Sequence, residues 1–109
     1  MKYTVLTTAI SLALAWPMNQ SLAADADVGK TAYEKNCAGC HGADGKGNPA
    51  LAKTLGEKEL NIVGKETMQK SDEVLLKIIA DGAGKMPPSK KLTKEEQKSV
   101  LQYSRSLAK

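Results

Sequence analysis

"NCAGCHGADGKGNP", residues 36–49, holds both cysteines of the 109-residue chain and its only histidine between Cys37 and His41. Glycines 39, 42, 45 and 47 crowd around them. A dithiol of the thioredoxin type uses this cysteine spacing on a βαβ scaffold. A structural zinc site normally takes four ligands. Neither fits: no alternating apolar run argues for a sheet, and no further Cys or His is present to complete a zinc shell. A disulfide between Cys37 and Cys40 would close so short a loop that it would stabilise a domain little.

Cys37-Ala38-Gly39-Cys40-His41 does fit Cys-x-x-Cys-His, the pattern for covalent attachment of c-type haem. Two sulfurs one helical turn apart can each add to a vinyl group on one porphyrin edge, and the adjacent imidazole swings beneath the iron as proximal ligand. The glycines let the backbone approach a flat cofactor.

The first 23 residues read as a secretory leader. Lys2 supplies a short positive segment, Val5 to Trp16 an apolar run, and Pro17 to Ala23 a more polar tail ending in Ser21-Leu22-Ala23. Small residues three and one before the cut place cleavage after Ala23. The apolar run is too short for a comfortable permanent span, so the expectation is a periplasmic protein with no stable membrane insertion after cleavage. Residues 24–109 then form one small domain, whose only aromatics are Tyr33 and Tyr103. Such a core needs a large apolar body from elsewhere.

Formal net charge is a mild +4. Lys85, Lys90 and Lys91 fall in a stretch without acids. Nucleic acid is excluded as a partner by the absence of an arginine cluster and of aromatic stacking surface.

Helical signals dominate. Asp25 or Asp27 can cap a first helix running to about Asn36, with Gly29, Tyr33 and Cys37 on one face. Gly29 costs such a helix about 1 kcal/mol relative to alanine, which makes sense where another helix crosses closely. Ser71 followed by Asp72 and Glu73 opens a second helix. Its buried stripe is Val74, Leu75, Ile78 and Ile79, and Gly82 and Gly84 end it. Thr93 and Glu96 form a capping box for a third, with Val100, Tyr103, Ser104 and Leu107 at helical spacing. Leu51–Leu55 and Glu66–Met68 read as short helical turns. The fold class is therefore all-α.

The chain resembles the class I monohaem cytochromes c. The resemblance rests on the short helix leading into Cys37–His41, the glycine-rich turn, "NPAL" at 48–51, "GKMPP" at 84–88 and the closing helix with "VLQYSRSL" at 100–107. It implies three main helices with short turns wrapped around one covalently bound haem c and its iron. Outside the leader, the methionines available as distal ligand are Met68 and Met86. Met86 is favoured because Pro87 and Pro88 stiffen its loop and the resemblance points to the same position. Met68 reads as a core methionine against the haem face. In similar cytochromes a proline carbonyl shortly after the motif accepts a hydrogen bond from the proximal histidine. Pro49 occupies the matching place, and also reads as a simple turn proline.

His41 and Met86 together leave the iron no open position, which favours outer-sphere electron transfer over catalysis. The expectation is a monomeric carrier of single electrons between periplasmic redox proteins, with Lys46, Lys85, Lys90 and Lys91 ringing the exposed haem edge to steer acidic partners. The same lysines also serve plain solubility. A haem domain that binds gas or peroxide after Met86 dissociates, and a dithiol oxidoreductase, are the alternative readings.

Overall fold

The computed structural model describes residues 20–108, with side chains from residue 26 onward. The expected leader lies outside the described residues, apart from the backbone of residues 20–23. The regular elements of the described chain are all helices, in the order α1 (Gln20–Asn36), α2 (Ala38–His41), α3 (Pro49–Leu55), α4 (Glu57–Leu60), α5 (Lys65–Met68), α6 (Asp72–Asp81) and α7 (Lys94–Ser106). Three of these are long, as expected. The others are single turns or little more.

Each long helix follows from its own sequence. At α7 the capping box is complete: the Glu96 amide donates to Thr93 Oγ1 at 3.1 Å and the Thr93 amide to Glu96 Oε1 at 3.2 Å. At α6 the Ser71 hydroxyl accepts from the Val74 amide at 3.3 Å, with Asp72 and Glu73 in the first turn. Helix α1 departs from expectation, since it continues through Asp27 and Asp25 back to Gln20 and neither aspartate caps it. The run Leu22-Ala23-Ala24 consists of strong helix formers, so the helix does not stop there.

The main helix–helix contact is between α1 and α7. Gly29 stands where they cross: a Cβ there would lie 2.8 Å from the Ser99 carbonyl carbon and 3.3 Å from Tyr103 Cβ. One turn on, Tyr33 packs against Tyr103 with ring centroids 5.3 Å apart and planes tilted by 56°, a favourable edge-on aromatic arrangement. Ala32, Tyr33, Cys37, Leu92 and Val100 form the core, flanked by half-buried Ala38, Ile62, Ile79, Tyr103 and Leu107. The buried face of α6 is narrower than its sequence implied. Leu75 is buried, but Val74 is 46% exposed, because it lies on the solvent edge of the stripe that Leu75, Ile78 and Ile79 define.

Candidate haem site

Cys37 closes the end of α1, its amide bonded to the Tyr33 carbonyl at 2.8 Å. The next turn is tight: the amides of Cys40 and His41 both donate to the Cys37 carbonyl, at 3.2 and 2.9 Å. Both cysteines are thereby carried on one helical turn, Cys37 buried and Cys40 exposed, and they are not bridged to each other. Gly42, at φ 80°, turns the chain out of α2, and its carbonyl accepts from the Tyr33 hydroxyl at 2.6 Å.

The His41 ring is fixed by a 2.8 Å hydrogen bond between Nδ1 and the Leu60 carbonyl. A carbonyl only accepts, so Nδ1 carries the proton and Nε2 keeps its lone pair for a metal. This corrects the expectation that Pro49 supplies the acceptor. Pro49 is the first residue of α3, and a carbonyl at that position points along the helix axis toward the amide four residues on. Leu60, at the end of α4, presents its carbonyl to the imidazole instead.

His41 and Met86 face a common cavity with two lobes of about 310 and 880 Å³ that share Cys37, His41, Glu59, Ile78 and Met86. This is the size range of cofactor sites, roughly 300–1,000 Å³. Leu75, Ile78, Ile79 and Leu101 give the smaller lobe apolar walls, and Cys40, Leu55, Pro87 and Pro88 line the larger one. Met68 lines neither lobe and is 41% exposed. The expectation that it packs as a core methionine against the haem face therefore fails, because the single turn of α5 holds it on the outside.

Residues 24–103 match the family described as cytochrome C oxidase, cbb3-type, subunit III. The chain belongs to this cytochrome c family. It is 37% identical over 87 residues to the cbb3-type cytochrome c oxidase subunit CcoP of Azospirillum brasilense, a match that covers 78% of this chain and 29% of that protein. The chain thus spans under a third of that relative. Cytochrome c6 of Leptolyngbya boryana is 37% identical over 81 residues, which cover 73% of this chain and 89% of the relative. Among solved structures, the KustC0563 c-type cytochrome superposes with a TM-score of 0.64 at 32% identity, over 74% of this chain and 98% of that one. Membership brings covalently bound haem c, its iron and the family's haem-based electron transfer.

The residues present fit that cofactor. The chain offers two unpaired thiols on one turn, an imidazole whose free nitrogen is set by its partner, and an apolar cavity with a thioether on its wall. Burial, and secondarily Cys40, push the Cys37 thiol up to about 11, so it lacks the low pKa of a redox-active dithiol.

The Met86 turn is built with care. Ala83 and Met86 exchange amide-to-carbonyl hydrogen bonds of 3.1 and 2.9 Å across Gly84 and Lys85. Gly82, at φ 79°, lies directly behind: a Cβ would stand 2.5 Å from the Met86 carbonyl oxygen and 2.9 Å from Pro88 N. Sequence reasoning took Gly82 only as a helix stop, and the close approach behind it has no sequence signal. Lys85, Lys90 and Lys91 all line the larger lobe, whereas Lys46 lines neither. The sequence also passed over Asn48. The Asn48-Pro49 pair is a legible cap signal, a polar N-cap followed by proline at the first helical position.

Proposed function

We propose that this cytochrome carries single electrons between periplasmic redox proteins on one haem c, tied through thioethers at Cys37 and Cys40 and ligated by His41 and Met86. The observation that carries this reading is that His41, with Nε2 free, and Met86 line the same cavity, while Met68, the other candidate thioether, lies outside it. Bound haem c supplies one-electron exchange between ferric and ferrous iron. His41 Nε2 and the Met86 thioether would hold the iron, which would leave substrate no open position and favour outer-sphere transfer. Leu75, Ile78, Ile79 and Leu101 exclude water from the cofactor face, and a thioether ligand in such a setting raises the potential.

Lys85, Lys90 and Lys91 at the mouth of the larger lobe form the docking edge for acidic partners. Among the described residues no helix is long and apolar enough to cross a membrane. Residues 1–23 act as the export leader. Cleavage after Ala23 trims the start of α1 and leaves Asp25 and Asp27 near the new end, where carboxylates suit the helix dipole. The mature domain works as a monomer.

Optical spectra of the purified holoprotein test the ligand set. A sharp ferrous α-band reports haem, and the weak far-red ferric band reports iron–sulfur ligation. Loss of the far-red band in Met86→Ala, with retention in Met68→Ala, supports the assignment, and the reverse pattern overturns it. Steering by the lysines requires transfer rates that fall as ionic strength rises.

A further inference from the structure

The two halves of the proposed ligand set, Cys37–His41 and Met86, are far apart in sequence, and α3 lies between them. Its two ends are tied in different ways. At the N-terminal end Asn48 makes four hydrogen bonds, one of them from the Leu51 amide to its carbonyl at 3.0 Å. Its amide donates to the Cys40 carbonyl at 2.9 Å, Nδ2 to the Gly39 carbonyl at 2.9 Å, and Oδ1 accepts from the Ala50 amide at 3.0 Å, capping α3. The haem-attachment turn and the start of α3 are thereby one piece, stiffened by Pro49.

At the C-terminal end Lys85 Nζ donates to the Thr54 carbonyl at 2.9 Å. Thr54 belongs to the last turn of α3, whose carbonyls lack intrahelical partners and carry the negative end of the helix dipole. A cation is well placed there, and its bond is charge-assisted. Lys85 immediately precedes Met86. Among the described residues this is the one hydrogen bond that joins the turn at 82–89 to residues 36–60. The other bonds of that turn run within it, back to α6, as from the Ser89 amide to the Ile79 carbonyl at 3.0 Å, or forward, as from the Leu92 amide to the Ser89 carbonyl at 3.3 Å.

We propose that α3 is a strut coupling the haem-attachment turn to the methionine turn, and that Asn48 and Lys85 are positioning residues that hold Met86 against the iron. The inference rests on Met86 being the distal ligand. An exposed lysine bond contributes little to global stability. Its effect falls on the local equilibrium between a closed methionine turn and one swung away.

Imidazole titration of the ferric holoprotein, followed by loss of the far-red iron–sulfur band, reads that equilibrium directly. Lys85→Met keeps most of the apolar stem and loses the donor, and its apparent imidazole affinity should rise roughly three- to tenfold. Lys85→Arg, which keeps a cationic donor, should stay near wild type. Lys77→Met, an equal loss of charge on the exposed side of α6, should not move. Asn48→Ala should shift affinity in the same direction as Lys85→Met. The double variant should gain no more than the larger single, because both break one strut. If Asn48→Ala fails to mature with haem, the Lys85 and Lys77 variants decide alone.

Unchanged imidazole affinity in Lys85→Met, with the wild-type band intact, overturns the strut and leaves the ligand assignment standing. An equal rise in Lys77→Met also overturns it, by making the effect one of charge. Absence of the far-red band from the wild type overturns the ligand assignment and the strut together.

Discussion

The hydroxyl of Tyr33 donates to the Gly42 carbonyl across 2.6 Å. The bond joins the last turn of α1 to the residue after His41, so the terminal-helix packing and the Cys37–His41 turn are held by one side chain. Tyr33 is only 1% exposed and also packs at a tilt against Tyr103. Its proton is committed to a carbonyl, which leaves the hydroxyl no second proton to offer a haem propionate. Burial raises its pKa far above the ordinary tyrosine value, and the neighbouring Cys37, Tyr103 and Asp44 push the same way.

Tyr33→Phe should therefore destabilise the holoprotein by about 0.5–1.5 kcal/mol at neutral pH, the net worth of a part-buried hydrogen bond. The pH dependence has a definite sign. The folded-state pKa lies above the unfolded value of roughly 10, so the protonated phenol's contribution is complete below pH 10 and is lost as pH rises toward the folded pKa. Wild-type stability should fall steeply above about pH 10, and Tyr33→Phe should show a shallower alkaline slope in urea unfolding. Equal slopes would remove Tyr33 as the cause.

Gly29→Ala should also destabilise, although alanine is the better helix former by roughly 1 kcal/mol. The new methyl would lie 2.8 Å from the Ser99 carbonyl carbon and closer still to its oxygen, and forced separation of packed helices costs about 1–3 kcal/mol. The overlap outweighs the propensity gain, and the thermal midpoint of the holoprotein should drop. A rise would mean that the helices separate freely at the crossing.

Much of this architecture was legible, and what escaped has a physical reason. The caps at Ser71 and Thr93 are local chemistry between residues three apart, so sequence spacing predicts them and the structure contains them. The crossing at Gly29 was legible because a glycine inside a helix needs a reason. The Cys-x-x-Cys-His turn is equally local. The acceptor for His41 was missed because it is a backbone carbonyl 19 residues on. Every residue has a carbonyl, and only the path of the chain through α3 and α4 selects that of Leu60. The tie from Lys85 to Thr54 is hidden for the same cause, across 31 positions. Met68 was misplaced because composition marks it as apolar while a one-turn helix carries too little periodicity to orient it.

Gly82→Ala should separate haem attachment from axial ligation. At φ 79° an alanine is strained whatever the space around it, and its Cβ would meet the Met86 carbonyl oxygen at 2.5 Å. The turn must then move, whereas Cys37, Cys40 and His41 lie on other elements. The expected spectrum keeps the ferrous α-band and loses or weakens the ferric far-red band. Retention of both bands at wild-type intensity would show that the turn absorbs the methyl without shifting Met86.

The haem-free chain should be largely unfolded at neutral pH. Among the described residues only Tyr33 and Val100 of the larger side chains are fully buried, and the core cluster is five residues with half-buried flanks. Ile62, Ile78, Ile79 and Met86 remain partly exposed around the cavity. Apolar burial contributes roughly 25 cal/mol per Å², so a core this small cannot offset the chain entropy of ordering a domain, on the order of 1–2 kcal/mol per residue for the backbone alone. A covalently held porphyrin would supply the missing apolar contact at the cavity walls that α6 and α7 line. A Cys37→Ala/Cys40→Ala chain purified without haem should show far-UV circular dichroism with little of the helical signal of the holoprotein. A spectrum matching the holoprotein would place the folding information in the protein core and not in the cofactor.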